Sequence, residues 1–158
     1  MRTSIVRGLT VLGTIWIAIV APAQINQEKP PKMSNVNVVV QHFDKELEEK
    51  YAWGWIRWMM NSTLDHGSAQ TFGIVQINAG RHNYLHSHPN CEEILYVLSG
   101  SSEHIVGNKK VMLHAGDLIR VPVGVPHQAF VIGNEPLRAI ICYSSADRKA
   151  VNYGNTEE

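Results

Sequence analysis

Residues 80–100, GRHNYLHSHPNCEEILYVLSG, set two histidines and a glutamate at metal-ligand spacing inside a strand-rich stretch. In a strand, alternate residues share a face, so His86 and His88 point together while Ser87 points away. Pro89-Asn90 supplies a turn, and the chain resumes as a second strand at Glu93, whose face it shares with Leu95 and Val97. Glu92 falls on the opposite face and is the weaker ligand candidate. A fourth candidate, His127, follows in GDLIRVPVGVPHQAF. The 15 residues between Gly100 and Gly116 suffice for one hairpin turning at Gly107-Asn108. Pro122 and Gly124 then bend the chain so that His127 can approach from the opposite wall. Three imidazoles and one carboxylate form a donor set for a divalent transition metal.

Outward from this stretch the chain is a series of short apolar runs: WGWIRWMM, TFGIVQIN, EILYVLS, SEHIV, KVML, LIRVPV, HQAFVI and LRAIICYS. Each is strand-length and rich in Val, Ile and aromatics, with turn residues between. That spacing predicts an all-β sandwich or barrel. FDKELEEKY, Phe43 to Tyr51, reads as a short surface helix with Asp44 as N-cap.

With 158 residues a single domain is expected, and 14 basic against 14 acidic residues leave no basic surface for nucleic acid. Arg2 and Arg7 precede an uncharged apolar run of 13 residues, Gly8 to Val20, followed by Ala21-Pro22-Ala23. A spanning helix needs about 20 apolar residues, so residues 1–23 read as a cleaved signal peptide and the protein as exported, periplasmic or secreted. A retained N-terminal membrane anchor is the alternative. Residues 24–40 read as a flexible mature N-terminus, 41–148 as the barrel domain and 149–158 as a C-terminal tail. Cys91 and Cys142 could pair in an oxidising compartment; two free thiols is the favoured reading.

The glycine frame resembles the two motifs of the cupin family. Gly80, His86, His88, Glu93 and Gly100 match the first motif; Gly116, Pro122, Gly124 and His127 match the second. The resemblance covers about residues 70–145. It departs at Val131, where the second motif usually carries an asparagine that is not a ligand. The resemblance implies a cupin-type double-stranded β-helix, or jelly-roll barrel, here with a short N-terminal helix. It implies one metal (Fe, Mn, Zn, Ni or Cu) on His86, His88, Glu93 and His127, and a homodimer.

The function expected is a metal-dependent enzyme acting on a small molecule, oxygenase-type first. A non-catalytic binding module for metal or small ligand, carbohydrate included, is the alternative, as is a cupin isomerase, decarboxylase or lyase. Tyr84, Arg57, Tyr96 and His82 are the candidates for contact with substrate or with the ligands. For Arg57 the leading alternative is an exposed edge-strand face. His104, His114, His66 and His42 read as surface residues, and Trp53, Trp55 and Trp58 as core or interface.

Overall fold

The computed structural model describes residues 38–42, 44 and 48–154. Every regular element among them is a strand: β1 (Glu48–Tyr51), β2 (Gly54–Met60), β3 (Thr71–Ile77), β4 (His86–Ser87), β5 (Glu93–Ser99), β6 (Ser101–Val106), β7 (Lys109–His114), β8 (Leu118–Val121), β9 (His127–Ile132), β10 (Leu137–Tyr143) and β11 (Val151–Asn152). They form two antiparallel sheets, one of order β1-β2-β3-β10-β5-β8 and one of order β11-β4-β9-β6-β7. This is the all-β double-sheet architecture that the apolar runs predict. The export segment, residues 1–23, lies outside the described residues.

Alternation sets which face each strand buries. In β3 and β10 every second residue is buried, and β5 buries Glu93, Leu95 and Val97 while exposing Ile94, Tyr96 and Leu98. The inward residues of both sheets meet in one core that includes Ile77, Val97, Leu113, Val131, Leu137, Ala139 and Ile141. Val131, the residue at the departed motif position, is part of that core, and its N–H donates to the Arg81 carbonyl. Between β6 and β7, Gly107 and Asn108 make the expected two-residue turn, with Gly107 at positive φ.

Two expectations are corrected. The predicted helix over 43–51 gives way to β1 at Glu48–Tyr51; residues 43 and 45–47 of that segment lie outside the described residues. The strand wins because its backbone pairs with β2, placing Glu48 opposite Arg57, whereas a helix with one internal leucine has little to bury. The tail expected from residue 149 instead straps the five-stranded sheet as far as the described residues run. β11 pairs with β4, the Tyr153 N–H donates to the Leu85 carbonyl, and the Tyr153 and Ser87 hydroxyls bond at 2.7 Å.

Gly100 and Gly116 both sit at positive φ, but a Cβ at Gly100 would meet the Pro136 carbonyl at 2.5 Å, whereas one at Gly116 would meet nothing within 4 Å. Gly116→Ala should therefore cost only the left-handed backbone term, about 1–2 kcal/mol. Gly100→Ala should cost more, with urea unfolding of the two variants as the check; equal costs would remove the packing argument.

Candidate metal centre

The site lies where β4, β5 and β9 present their ends to one another. β4 and β9 face each other with His86 opposite His127, and Glu93 begins β5, flanked in register by Val121 on β8 and Tyr143 on β10. His86 and His127 from one sheet, with His88 just past the end of β4, thus confront one carboxylate from the other sheet. One ligating atom from each of His86, His88, Glu93 and His127 lies within 4.8 Å of all the others. His88, Glu93 and His127 are buried and His86 half-buried.

The hydrogen bonds around the rings decide what this cluster can hold. Nδ1 of His86 lies 2.8 Å from the Tyr84 carbonyl, Nδ1 of His88 2.8 Å from that of Lys149, and Nδ1 of His127 2.9 Å from that of Val125. A carbonyl only accepts, so each Nδ1 carries a proton and each Nε2 is left for the cluster. Nε2 of His88 and of His127 stand 3.1 and 3.0 Å from the same Glu93 oxygen. With neutral rings these contacts join acceptor to acceptor, so a cation, whether proton or metal, must lie among them.

The titration shifts carry the same strain. Burial would raise Glu93, but hydrogen bonds and charge from His127 and His88 hold its carboxyl well below the usual carboxylate range. Burial would lower His127, but its bond to Glu93 and that group's charge raise it. His86 is pushed down to about 4, by burial first and by the charge on His127 second. The same cluster therefore pushes His127 up and His86 down.

Above the cluster is a cavity of about 160 Å³ walled mainly by apolar side chains, among them Trp53, Ile56, Val75, Leu95 and Ile141. Tyr84 lines it, edge-on to Trp53, and its carbonyl orients His86. The other three contact candidates lie elsewhere. Arg57 is fully buried but on the outer face of the six-stranded sheet, ion-paired with Glu48 and 5.5 Å from the Trp55 ring, so it neither enters the barrel nor meets solvent. Tyr96 lies on the face of β5 opposite Glu93, three residues away and hence out of phase. His82 packs on Phe130 with a ring separation of 5.0 Å, and its Nδ1 accepts from the Gln128 side chain at 2.9 Å, away from the cavity.

The sequence reading missed His104, Tyr143, Tyr51 and Arg148, all of which line the cavity. His104, expected at the surface, is buried on β6 and bonded through Nδ1 to the Ser102 hydroxyl at 3.1 Å. The alternation of SSEHIV carries that signal, since Ser102 and His104 share one face. Tyr143 packs edge-on to His88, and its hydroxyl is raised well above its ordinary range by burial and by the Glu93 charge. His42, His66 and His114 are exposed, as expected. Trp53 is core and Trp58 packs against it, whereas Trp55 faces outward beside Arg57 and Arg138. Cys91 and Cys142 are both free.

Residues 73–143 match the cupin domain family. An uncharacterised protein of Methanocaldococcus jannaschii is 32% identical over 87 residues, which span 55% of this chain and 70% of that one. The chain belongs to the cupin family. Among solved structures, this cupin is similar to Lactobacillus farciminis oxalate decarboxylase in a formate complex, with TM-score 0.63 and 23% identity over 67% of this chain and 33% of that one. It is also similar to Bacillus subtilis oxalate decarboxylase, described with Mn(II) centres, with TM-score 0.63 and 24% identity over 67% of this chain and 29% of that one. The cupin thus spans about a third of the length of these enzymes, and the likeness is one of fold.

Burial pushes His104 down to about 4, from an ordinary 6.5. As pH falls the unfolded chain takes up this proton first, so the neutral ring stabilises the fold above pH 6.5, and that stability is lost between 6.5 and 4. Across that window the metal-free wild type should lose about 1–3 kcal/mol more than His104→Gln. Thermal melts at stepped pH check this, and parallel curves for the two proteins would refute it.

Proposed function

We propose that this cupin is a metal-dependent enzyme, holding one divalent transition metal on His86, His88, Glu93 and His127 and acting on a small molecule in the cavity above. The observation that carries the proposal is the commitment of all three Nδ1–H groups to backbone carbonyls, which turns three Nε2 atoms and a carboxylate toward one point. The nitrogen and oxygen donors suit Fe, Mn, Zn, Ni or Cu. When bound, the metal supplies Lewis acidity and, if octahedral, two open positions beside its four protein donors, an arrangement suited to oxygenase-type chemistry.

The chain's own residues supply the rest. The carbonyls of Tyr84, Val125 and Lys149 fix ring orientation, and Glu93 adds one negative charge that favours a divalent over a monovalent ion. Tyr143, kept protonated, can donate a hydrogen bond beside Glu93. The apolar walls exclude water from the reacting group. A decarboxylase is the second reading, favoured by the likeness to oxalate decarboxylases. Export through residues 1–23 belongs to the proposal and is supported by their charge and hydropathy pattern. No helix among the described residues is long and apolar enough to cross a membrane.

Metal should raise the melting temperature of the wild type, by the equivalent of about 2.7 kcal/mol at a hundredfold excess over Kd. His88→Ala and Glu93→Gln should lose that rise, along with at least 10-fold of metal affinity. Elemental analysis with and without chelator, and oxygen uptake across candidate substrates, test binding and reaction class separately. A metal-free protein with full turnover would end the proposal.

We further propose a homodimer. The outer face of the six-stranded sheet exposes Ile94, Tyr96, Leu98 and Leu118 on two adjacent strands, an apolar surface that a second copy would cover. Light scattering should give twice the chain mass, and Tyr96→Glu should give a monomer; a monodisperse wild-type monomer would refute this.

A further inference from the structure

One wall of the cavity is built by residues outside the matched stretch 73–143: Tyr51 and Trp53 before it, Arg148, Ala150 and Asn152 after it. The Tyr51 ring lies flat on the Trp53 ring, centroids 4.6 Å apart and planes 5° apart. The Arg148 guanidinium lies 4.5 Å from the Trp58 ring and 5.2 Å from the Tyr143 ring. It is the single lysine or arginine among the described lining residues.

Arg148 has no carboxylate partner among the described residues. The acids that line pockets with it are engaged elsewhere: Glu49 accepts from the Tyr51 hydroxyl at 2.8 Å, Glu93 faces His88 and His127, and Asp147 lies 4.0 Å from Lys149. Two aromatic faces therefore hold the guanidinium in place without neutralising it, and its in-plane N–H donors remain for a ligand. Ordinary helix- or sheet-forming needs do not account for a cation in this position. A divalent ion on three neutral imidazoles and one carboxylate would leave the cluster at net +1, and Arg148 adds a second positive charge to the same cavity.

We propose that Arg148 selects the ligand of this cavity, a small carboxylate whose anionic end meets the guanidinium and whose apolar body lies along the Tyr51–Trp53 wall. The inference deepens the metal-dependent reading above and rests on it. A planar carboxylate matches the guanidinium fork, and a monoanion loses less hydration than a phosphate would on entering an apolar cavity. Size limits the body: about 160 Å³ is close to the roughly 150 Å³ that admits a benzene ring, so one ring or a short branched chain fits. This wall comes from chain segments on either side of residues 73–143, brought together over the cavity.

The test uses two probes of one shape, benzoate and benzamide, titrated calorimetrically into the metal-loaded full chain. Wild type should bind benzoate about tenfold or more tighter than benzamide. Arg148→Gln should remove that preference and leave benzamide unchanged, and Arg148→Lys should keep part of it. A role confined to packing Trp58 against Tyr143 would instead weaken both probes alike. Equal affinities in wild type, parallel losses in Arg148→Gln, or no benzoate binding at millimolar concentration would each overturn the inference. Metal content is measured in the same samples. A wild type that retains no metal overturns the metal reading and this inference with it; one that retains metal without preferring benzoate overturns this inference alone.

Discussion

Three ring nitrogens and a carboxylate oxygen point at one another in the interior of the barrel, and none of them brings a donor of its own. Each imidazole has already spent its Nδ1 proton on a backbone carbonyl, of Tyr84, Lys149 or Val125. What remains is a buried concentration of lone pairs, which is costly unless a positive charge sits among them. The opposite shifts of Glu93 and His127 run in the direction that a shared proton would satisfy. A divalent cation meets it better, since one ion can serve all four acceptors at once.

The strands are arranged so that this demand cannot be relaxed by rotation of the rings. His86 and His127 face each other across a sheet pair, so neither can swing out without breaking a carbonyl bond. His88 depends on a carbonyl from beyond the barrel, that of Lys149. The Asn90 side chain ties that segment down, donating to the Asp147 carbonyl at 2.7 Å and accepting from the Lys149 N–H at 3.0 Å. The segment after β10 is therefore part of the centre: it orients one ring of the cluster and places Arg148 on the cavity wall.

Local signals in the sequence carried the barrel and the four converging side chains, because both depend on short-range periodicity. His86 and His88 share a face by strand geometry alone, and Glu93 rather than Glu92 follows from the phase of Leu95 and Val97. The same rule, applied to SSEHIV and EILYVLS, would have placed His104 inside and Tyr96 outside. Which strands pair was not legible in this way. Nothing in FDKELEEKY announces that its second half will pair with β2, and nothing in DRKAVNY announces a strap across β4. Arg57 shows the limit most clearly, since an inward-facing arginine and one buried on the outer face beneath Glu48 have the same local sequence.

These failures fall into two groups. Arg57, β1 and the strap lie before residue 73 or after residue 143, whereas His82, His104 and Tyr96 lie within 73–143. Within 73–143, the glycine and histidine frame is constrained by strand ends that must meet, and that constraint is visible residue by residue. The segment after β10 is held by contacts with sequence separations of 57 to 61 residues, Asn90 with Asp147 and His88 with Lys149. The flanks contribute Tyr51, Trp53 and Arg148 to the wall above the cluster, beside Val75, Leu95 and Ile141 from within 73–143. On the proposal above, ligand choice depends on Arg148 and the Tyr51–Trp53 wall as well as on the four residues that converge below them.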